Sequence, residues 1–334
     1  MLDTKREWGR NLEKLRMDSA MISRRLVAIL IIGSTGCAGS EPERFRWSEP
    51  LVATEDGGAI VLAKSAAVYG DIVEPMCSAT RLVHVSAALE VSRIVTADSV
   101  LCALTRSGNA RAGLDESGRL LVVDVFDGSR LKVFLVNQDP TTVRTEGCID
   151  SDPVVAADSR SRLVAVDLGT CEPGSWIYLL RFTPDFSVAV TEDSVNLALP
   201  LRGMSFGPGP TSLMVQLRDS TTDRIDVMDL SNHRTMSVAS GRLPAAQTST
   251  PGFSFLQNQR ADTDDWILMY SDSVGAVARN VLSRGTARER IRDWSAVISS
   301  APILSLDGRY VWLGFGGKIL RIEVGTGALD VVAP

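Results

Sequence analysis

Short alternating apolar runs recur along this chain at an interval too regular for a collection of unrelated strands. Ser151-Asp152-Pro153-Val154-Val155, Ser249-Thr250-Pro251-Gly252-Phe253 and Ser300-Ala301-Pro302-Ile303-Leu304 share a Ser-x-Pro opening followed by apolar residues. Their prolines lie 98 and 51 residues apart, and Gly203-Met204-Ser205-Phe206 falls near the middle of the longer interval. A second echo, VTADSVLCAL (95–104) and VTEDSVNLAL (190–199), is offset by 95 residues, again two units of about 48. Between these marks lie runs such as GRLLVVDVFDG (118–128), SWIYLLRF (175–182) and DWILMYSD (265–272), bounded by Gly, Asp, Asn and Ser. Such runs read as short antiparallel strands, and no segment carries a persuasive helical period. Unit starts near residues 60, 110, 153, 203, 251 and 302 give six units. A sheet of this size cannot cover both of its faces alone, whereas radial packing of successive sheets does. The period therefore predicts an all-β, six-bladed β-propeller, with seven blades as the alternative. The last unit has only about 33 residues. The strand-like RWSEPLVATED (46–56) is expected to lend it a strand and close the ring.

The final unit, SAPILSLDGRYVWLGFGGKILRIEVGTGALDVV, resembles the repeat of bacterial TolB-like and YVTN-type propellers. The likeness is carried by Pro302, by Ser305-Leu306-Asp307-Gly308-Arg309 at a tight turn, and by apolar Tyr310 to Leu313. Ile322-Glu323 and Thr326-Gly327 complete it at a hairpin. Glu116-Ser117-Gly118-Arg119 is a weaker copy. The resemblance implies the fold and leaves the activity open.

A different signal precedes the repeats. In SRRLVAILIIGSTGC (23–37) two arginines lead into the apolar run Leu26 to Ile32, and small residues follow. Seven residues cannot cross a bilayer, which takes about 20, but the layout is that of an export signal. Ser34-Thr35-Gly36-Cys37 resembles the lipobox of bacterial lipoproteins, although that family usually has Leu where this chain has Ser34. The resemblance implies lipid on Cys37, which becomes the mature N-terminus, and Ala38 after it is compatible with transfer to the outer membrane. A plain cleaved secretory signal or an uncleaved anchor is the alternative. Residues 1–36 are accordingly read as an N-terminal extension and signal peptide, 37–45 as a tether and 46–334 as the propeller domain. Residues 1–20 are charged and unlike a signal, so Met21 is read as the true start, with a cytoplasmic extension on an anchored protein as the alternative.

Without residues 1–36 the chain has 28 basic and 36 acidic residues, a net charge of −8. That balance argues against a nucleic-acid partner and is read as offering no polybasic attraction to anionic lipid. Membrane attachment is therefore expected through covalent lipid. Four further cysteines, Cys77, Cys102, Cys148 and Cys171, contain no CxxC pair. In an oxidising compartment they are expected to form disulfides, with Cys77–Cys102 and Cys148–Cys171 as the local pairing.

No residue is assigned a catalytic, metal-ligating or cofactor-binding role. The two histidines, His84 and His233, have no GxSxG serine near them and read as surface or structural groups. Asp262-Thr263-Asp264-Asp265 lacks the glycine and distal glutamate of a calcium loop and reads as a solvated turn. Gly314-Phe315-Gly316-Gly317-Lys318 has the wrong spacing for a phosphate loop and reads as a hairpin. Gly207-Pro208-Gly209-Pro210 reads as a rigid loop, and RGTARERIRDW (284–294) as a charged strand edge. Trp176, Trp266 and Trp312 read as packing between blades. The expected function is a lipid-anchored scaffold in the cell envelope, periplasmic or surface-facing, for an unknown protein or small-molecule ligand. A metal-dependent, lactonase-like propeller hydrolase with dispersed ligands is the alternative.

Overall fold

The computed structural model describes residues 43–69, 72–75, 80–94, 111–114, 120–126, 130–135, 141–144, 154–158, 162–167, 175–183, 189–219, 222–258, 265–292, 297–298 and 300–334. The five cysteines, Cys37, Cys77, Cys102, Cys148 and Cys171, fall outside them. Strands follow the alternation of the sequence. In SWIYLLRF, Ser175, Ile177 and Leu179 are buried while Trp176 and Tyr178 are half-buried. The alternation slips at Leu179-Leu180, both buried, where the pairing with the next strand shifts by a bulge that re-aims the chain.

Five sheets have four antiparallel strands each, in sequence order. They are β6 (Arg111–Leu114), β7 (Leu120–Phe126), β8 (Arg130–Leu135) and β9 (Thr141–Arg144); then β10 (Val154–Asp158), β11 (Leu163–Asp167), β12 (Ser175–Phe182) and β13 (Ala189–Leu197). Next come β14 (Leu201–Phe206), β15 (Ser212–Asp219), β16 (Thr222–Asp229) and β17 (Thr235–Ser240), followed by β18 (Arg242–Ala246), β19 (Phe253–Asn258), β20 (Trp266–Ser271) and β21 (Arg279–Ser283). The last holds β22 (Ile303–Leu304), β23 (Tyr310–Phe315), β24 (Lys318–Glu323) and β25 (Leu329–Val332). A sheet of different build precedes them. It orders β1 (Glu43–Ala53), β2 (Ala59–Tyr69), β4 (Arg81–Val85) and β5 (Val91–Ile94), with β3 (Ile72–Pro75) paired to β2.

By its contacts the chain divides into two units, Met1–Phe45 with Ala66–Glu74, and Arg46–Ser65 with Pro75–Pro334. The first contains Ile72 to Glu74 of β3. In the second, first strands are successive neighbours: β6 meets β10, β10 meets β14, β14 meets β18 and β18 meets β22. That is the arrangement of propeller blades, whose first strands surround the axis. Apolar side chains fill the space between neighbours. Leu179, Val195, Phe206 and Leu213 share one cluster, Met214, Ile225, Phe253 and Phe255 a second, and Leu268, Leu282, Leu313 and Leu320 a third. Trp266 sits edge-on to Phe315 in the third, ring centres 5.5 Å apart.

Three expectations are corrected. Five blades have the regular four-stranded form, rather than six or seven, and the first sheet departs from it. Secondly, β1 pairs with β2 in its own sheet and lends no strand to the last blade. That blade needs no help, because β22 is two residues long and β23 and β24 are joined by Gly316-Gly317 alone. The seam between first and last sheets is made by side chains. Ala59, Val61, Val83 and Val85 pack on Trp312, Ile319 and Val332, and Ser48 Oγ donates to the Gly317 carbonyl at 2.9 Å. Arg321, held by Asp330 at 2.7 Å, also donates to the Ala87 carbonyl.

Thirdly, the basic run expected as a strand edge is helix α1 (Arg284–Ile291). Ser283 caps it, its hydroxyl accepting from the Thr286 amide at 3.2 Å, and Arg292 ends it in the left-handed region. Ala287 and Ile291, four residues apart, bury one stripe of it. It is too short and too polar to cross a membrane, as is any helix among the described residues.

Candidate functional site

Two turns of the same design stand side by side where the first and last sheets meet. Thr54-Glu55-Asp56-Gly57 joins β1 to β2, and Ser305-Leu306-Asp307-Gly308 joins β22 to β23. In each, the glycine amide donates to the carbonyl of the hydroxyl residue, at 3.1 Å from Gly57 to Thr54 and 2.9 Å from Gly308 to Ser305. Both glycines have positive φ, 76° and 72°, which an L side chain adopts only with strain. The hydroxyls donate to the carboxylates, Thr54 to Asp56 at 2.5 Å and Ser305 to Asp307 at 2.6 Å. Each carboxylate oxygen then accepts a backbone amide, from Gly58 at 3.2 Å and from Arg309 at 3.0 Å.

A cleft of about 290 Å³ lies between the turns, lined by Thr54, Glu55, Gly57, Leu306 and Asp307. Its far wall is tied to the neighbouring blade. Ser249 Oγ donates to the Leu306 carbonyl at 2.8 Å, and Gln247 Nε2 to the Leu304 carbonyl at 2.7 Å. The Gly207-Pro208-Gly209-Pro210 loop continues the row, the Gly209 amide donating to the Thr250 carbonyl at 3.1 Å. The turns that follow β14, β18 and β22 are thus linked in a row at one end of these blades.

Burial pushes the Asp56 carboxyl up, but the Thr54 hydroxyl, the Gly58 amide and His84 together hold it below the usual value. For Asp307 burial acts likewise and is outweighed by Ser305 and the Arg309 amide, which leave that carboxyl low as well. Both therefore stay ionised at neutral pH, Asp307 in the wall of the cleft and Asp56 in the turn beside it.

His84, on β4, brings Nε2 to 3.2 Å from Thr54 Oγ1 and 3.3 Å from Asp56 Oδ1. A serine-type relay needs the hydroxyl on one ring nitrogen and the carboxylate on the other. Here both meet the same nitrogen, so the group clamps a turn and cannot pass a proton along. His233 also has a tying role. It stands at the tip of the β16–β17 hairpin, and its Nε2 lies 2.6 Å from Asp193 on the neighbouring blade.

Other sequence assignments fall into place around this. Gly316-Gly317 forms a hairpin, with φ of 58° and 74°. Trp266 and Trp312 are fully buried, and Trp176 is half-buried. Of the acidic run, only Asp265 lies among the described residues, immediately before β20. No group of three or more His, Cys, Asp or Glu side chains that could hold a metal occurs among the described residues. The proposed lipid and disulfide cysteines lie outside them. Reading the sequence by its Ser-x-Pro marks missed Thr54, Glu55 and Gly57 as cleft residues. The signal was present: Thr54-x-Asp56-Gly57 repeats Ser305-x-Asp307-Gly308 with one hydroxyl residue exchanged for another.

No protein-family model matches the sequence, and no curated protein is significantly similar to it. Solved structures do match. The chain superposes on a protein from Agrobacterium tumefaciens assigned as TolB with a TM-score of 0.52 and 14% identity, over 83% of this chain and 99% of that one. TolB from Acinetobacter baumannii gives 0.45 and 18%, covering 87% and 68% of the two chains. An oligogalacturonate lyase in complex with manganese gives 0.43 and 8%, covering 87% and 85%. At these identities the likeness is one of architecture, and the chain has the fold of a β-propeller.

Proposed function

We propose that this chain is an extracytoplasmic propeller, tethered through lipid on Cys37, that acts as a scaffold binding a protein or small-molecule ligand at its linked turn surface. The domain would span 46–334. The observation that carries the binding role is the cleft between the two Asp-Gly turns. Its Asp307 carboxylate is fixed by hydrogen bonds from its own turn, so the cleft presents a preformed acidic group that pays little ordering entropy on binding. The nearest imidazole is committed to the same turn in a geometry unsuited to relay.

Two measurements test the reading. Cys37→Ser should release the protein from the membrane fraction or block its processing; a matured variant still in that fraction would replace the lipoprotein with a plain anchor. Purified protein should turn over no lactone or ester beyond background, with or without added divalent metal. Turnover that disappears in Asp56→Asn or Asp307→Asn would favour the hydrolase instead.

A further inference from the structure

α1 and its cap carry Arg284, Arg288, Arg290 and Arg292 against one acid, Glu289, in a chain whose formal net charge is −5. The overall negative balance hides this local reversal. Ala287 and Ile291 hold the helix down, while Arg290 and Arg292 are exposed and Arg288 is half-buried. Arg290 reaches the Leu329 carbonyl at 3.5 Å. Among the described residues no carboxylate pairs with Arg288 or Arg292, and Arg288 Nε has no hydrogen-bond partner.

The position of the helix gives this charge a direction. β23 leaves the Asp307 turn and runs to Gly316-Gly317, so that hairpin lies at the opposite end of the last sheet from the cleft. There Ser48 Oγ meets the Gly317 carbonyl at 2.9 Å, and the neighbouring Lys318 Nζ reaches the Ile291 carbonyl at 3.5 Å, at the C-terminus of α1. The second unit begins at Arg46, beside this contact. Only eight residues lie between Cys37 and Arg46, and the nine steps from one to the other reach at most about 30 Å when fully extended.

We infer that Arg288 and Arg292 rest on the anionic phospholipid headgroups of the bilayer that holds Cys37, so that the acidic cleft at the other end of the blades faces away from the membrane. The orientation rests on the lipid-anchor reading; the affinity for headgroups does not. Guanidinium groups suit this role because they stay charged and donate in pairs to phosphate oxygens. Each basic residue near an anionic surface strengthens binding about fivefold, and salt weakens it.

The test uses the full chain carrying Cys37→Ser, so that no attached lipid contributes. Flotation with vesicles of phosphatidylcholine alone is compared with vesicles that also contain phosphatidylglycerol. Binding should require phosphatidylglycerol and fall with salt. Arg288→Gln with Arg292→Gln should weaken it about twenty- to thirtyfold. Arg288→Lys with Arg292→Lys should retain most of it, and Arg234→Gln, on the hairpin that carries His233, should leave it unchanged. A thermal midpoint measured for each variant separates lost binding from lost folding. Equal binding by the parent and a folded glutamine variant would overturn the proposal, as would equal binding to the two vesicle types. Displacement by inorganic phosphate at matched ionic strength would also overturn it, in favour of a free-anion site. Failure of the anchor reading shows separately, as identical fractionation of the parent chain and Cys37→Ser.

Discussion

Asp56 and Asp307 occupy equivalent posts, and each accepts from a hydroxyl and a backbone amide. Replacing Asp307 with Ala should cost on the order of 1–3 kcal/mol, since the Ser305 hydroxyl and the Arg309 amide lose their acceptor. Chemical denaturation measures it. Acid should act on the same posts. The carboxyls of Asp56, Asp307 and Asp193 are all held below their ordinary value of 3.8. A depressed carboxyl contributes stability that is complete above its unfolded value and is lost as pH falls through the folded one. The unfolding midpoint should therefore be flat near neutrality and drop below about pH 4, less steeply in Asp307→Asn than in the parent. Trp312 makes a harsher case. It is fully buried at the seam, and Trp312→Ala should cost roughly 3–5 kcal/mol.

Among elements, the strands were legible because each carries its own alternation and ends in residues that can turn. The helix was not. In eight residues only Ala287 and Ile291 mark its apolar stripe, and four arginines around them look like an exposed edge. What decides the matter is local: the Ser283 hydroxyl has the Thr286 amide to accept from, and a blade on which to lay the stripe. Ser283→Ala should destabilise by about 1 kcal/mol, seen as a lower midpoint with faster amide exchange confined to residues 284–291. The cleft was half legible. Its Ser305-Leu306-Asp307-Gly308 side stood out through a family resemblance, while the Thr54 turn lacked the flanking pattern that made its twin visible. A short spacing says what a turn is, but only the ring places two distant turns beside each other. The cysteines belong at this scale too. We propose Cys77–Cys102 and Cys148–Cys171, each closing a loop worth roughly 3 kcal/mol by chain entropy. Non-reducing peptide mapping of exported protein should recover both pairs; Cys77 joined to Cys171 would refute them.

For the whole molecule, a period near 48 residues was enough to announce the propeller, because sheets of that size have few other ways to cover both faces. The manner of closure was not readable from it. Residue counting favoured a borrowed strand, and tight turns such as Gly316-Gly317 made borrowing unnecessary. This has a consequence for biosynthesis. The five four-stranded sheets are assembled from strands adjacent in sequence and the first sheet draws only on residues 43–94, so each can finish while the next is still being made, and only the seam must wait for the C-terminal residues. Until Trp312, Ile319 and Val332 arrive, the faces of Ala59, Val61, Val83 and Val85 are left wet. A chain stalled before residue 302 should therefore hold protease-resistant sheets yet bind a hydrophobic dye along that one face, and lose the dye when synthesis is allowed to reach the end.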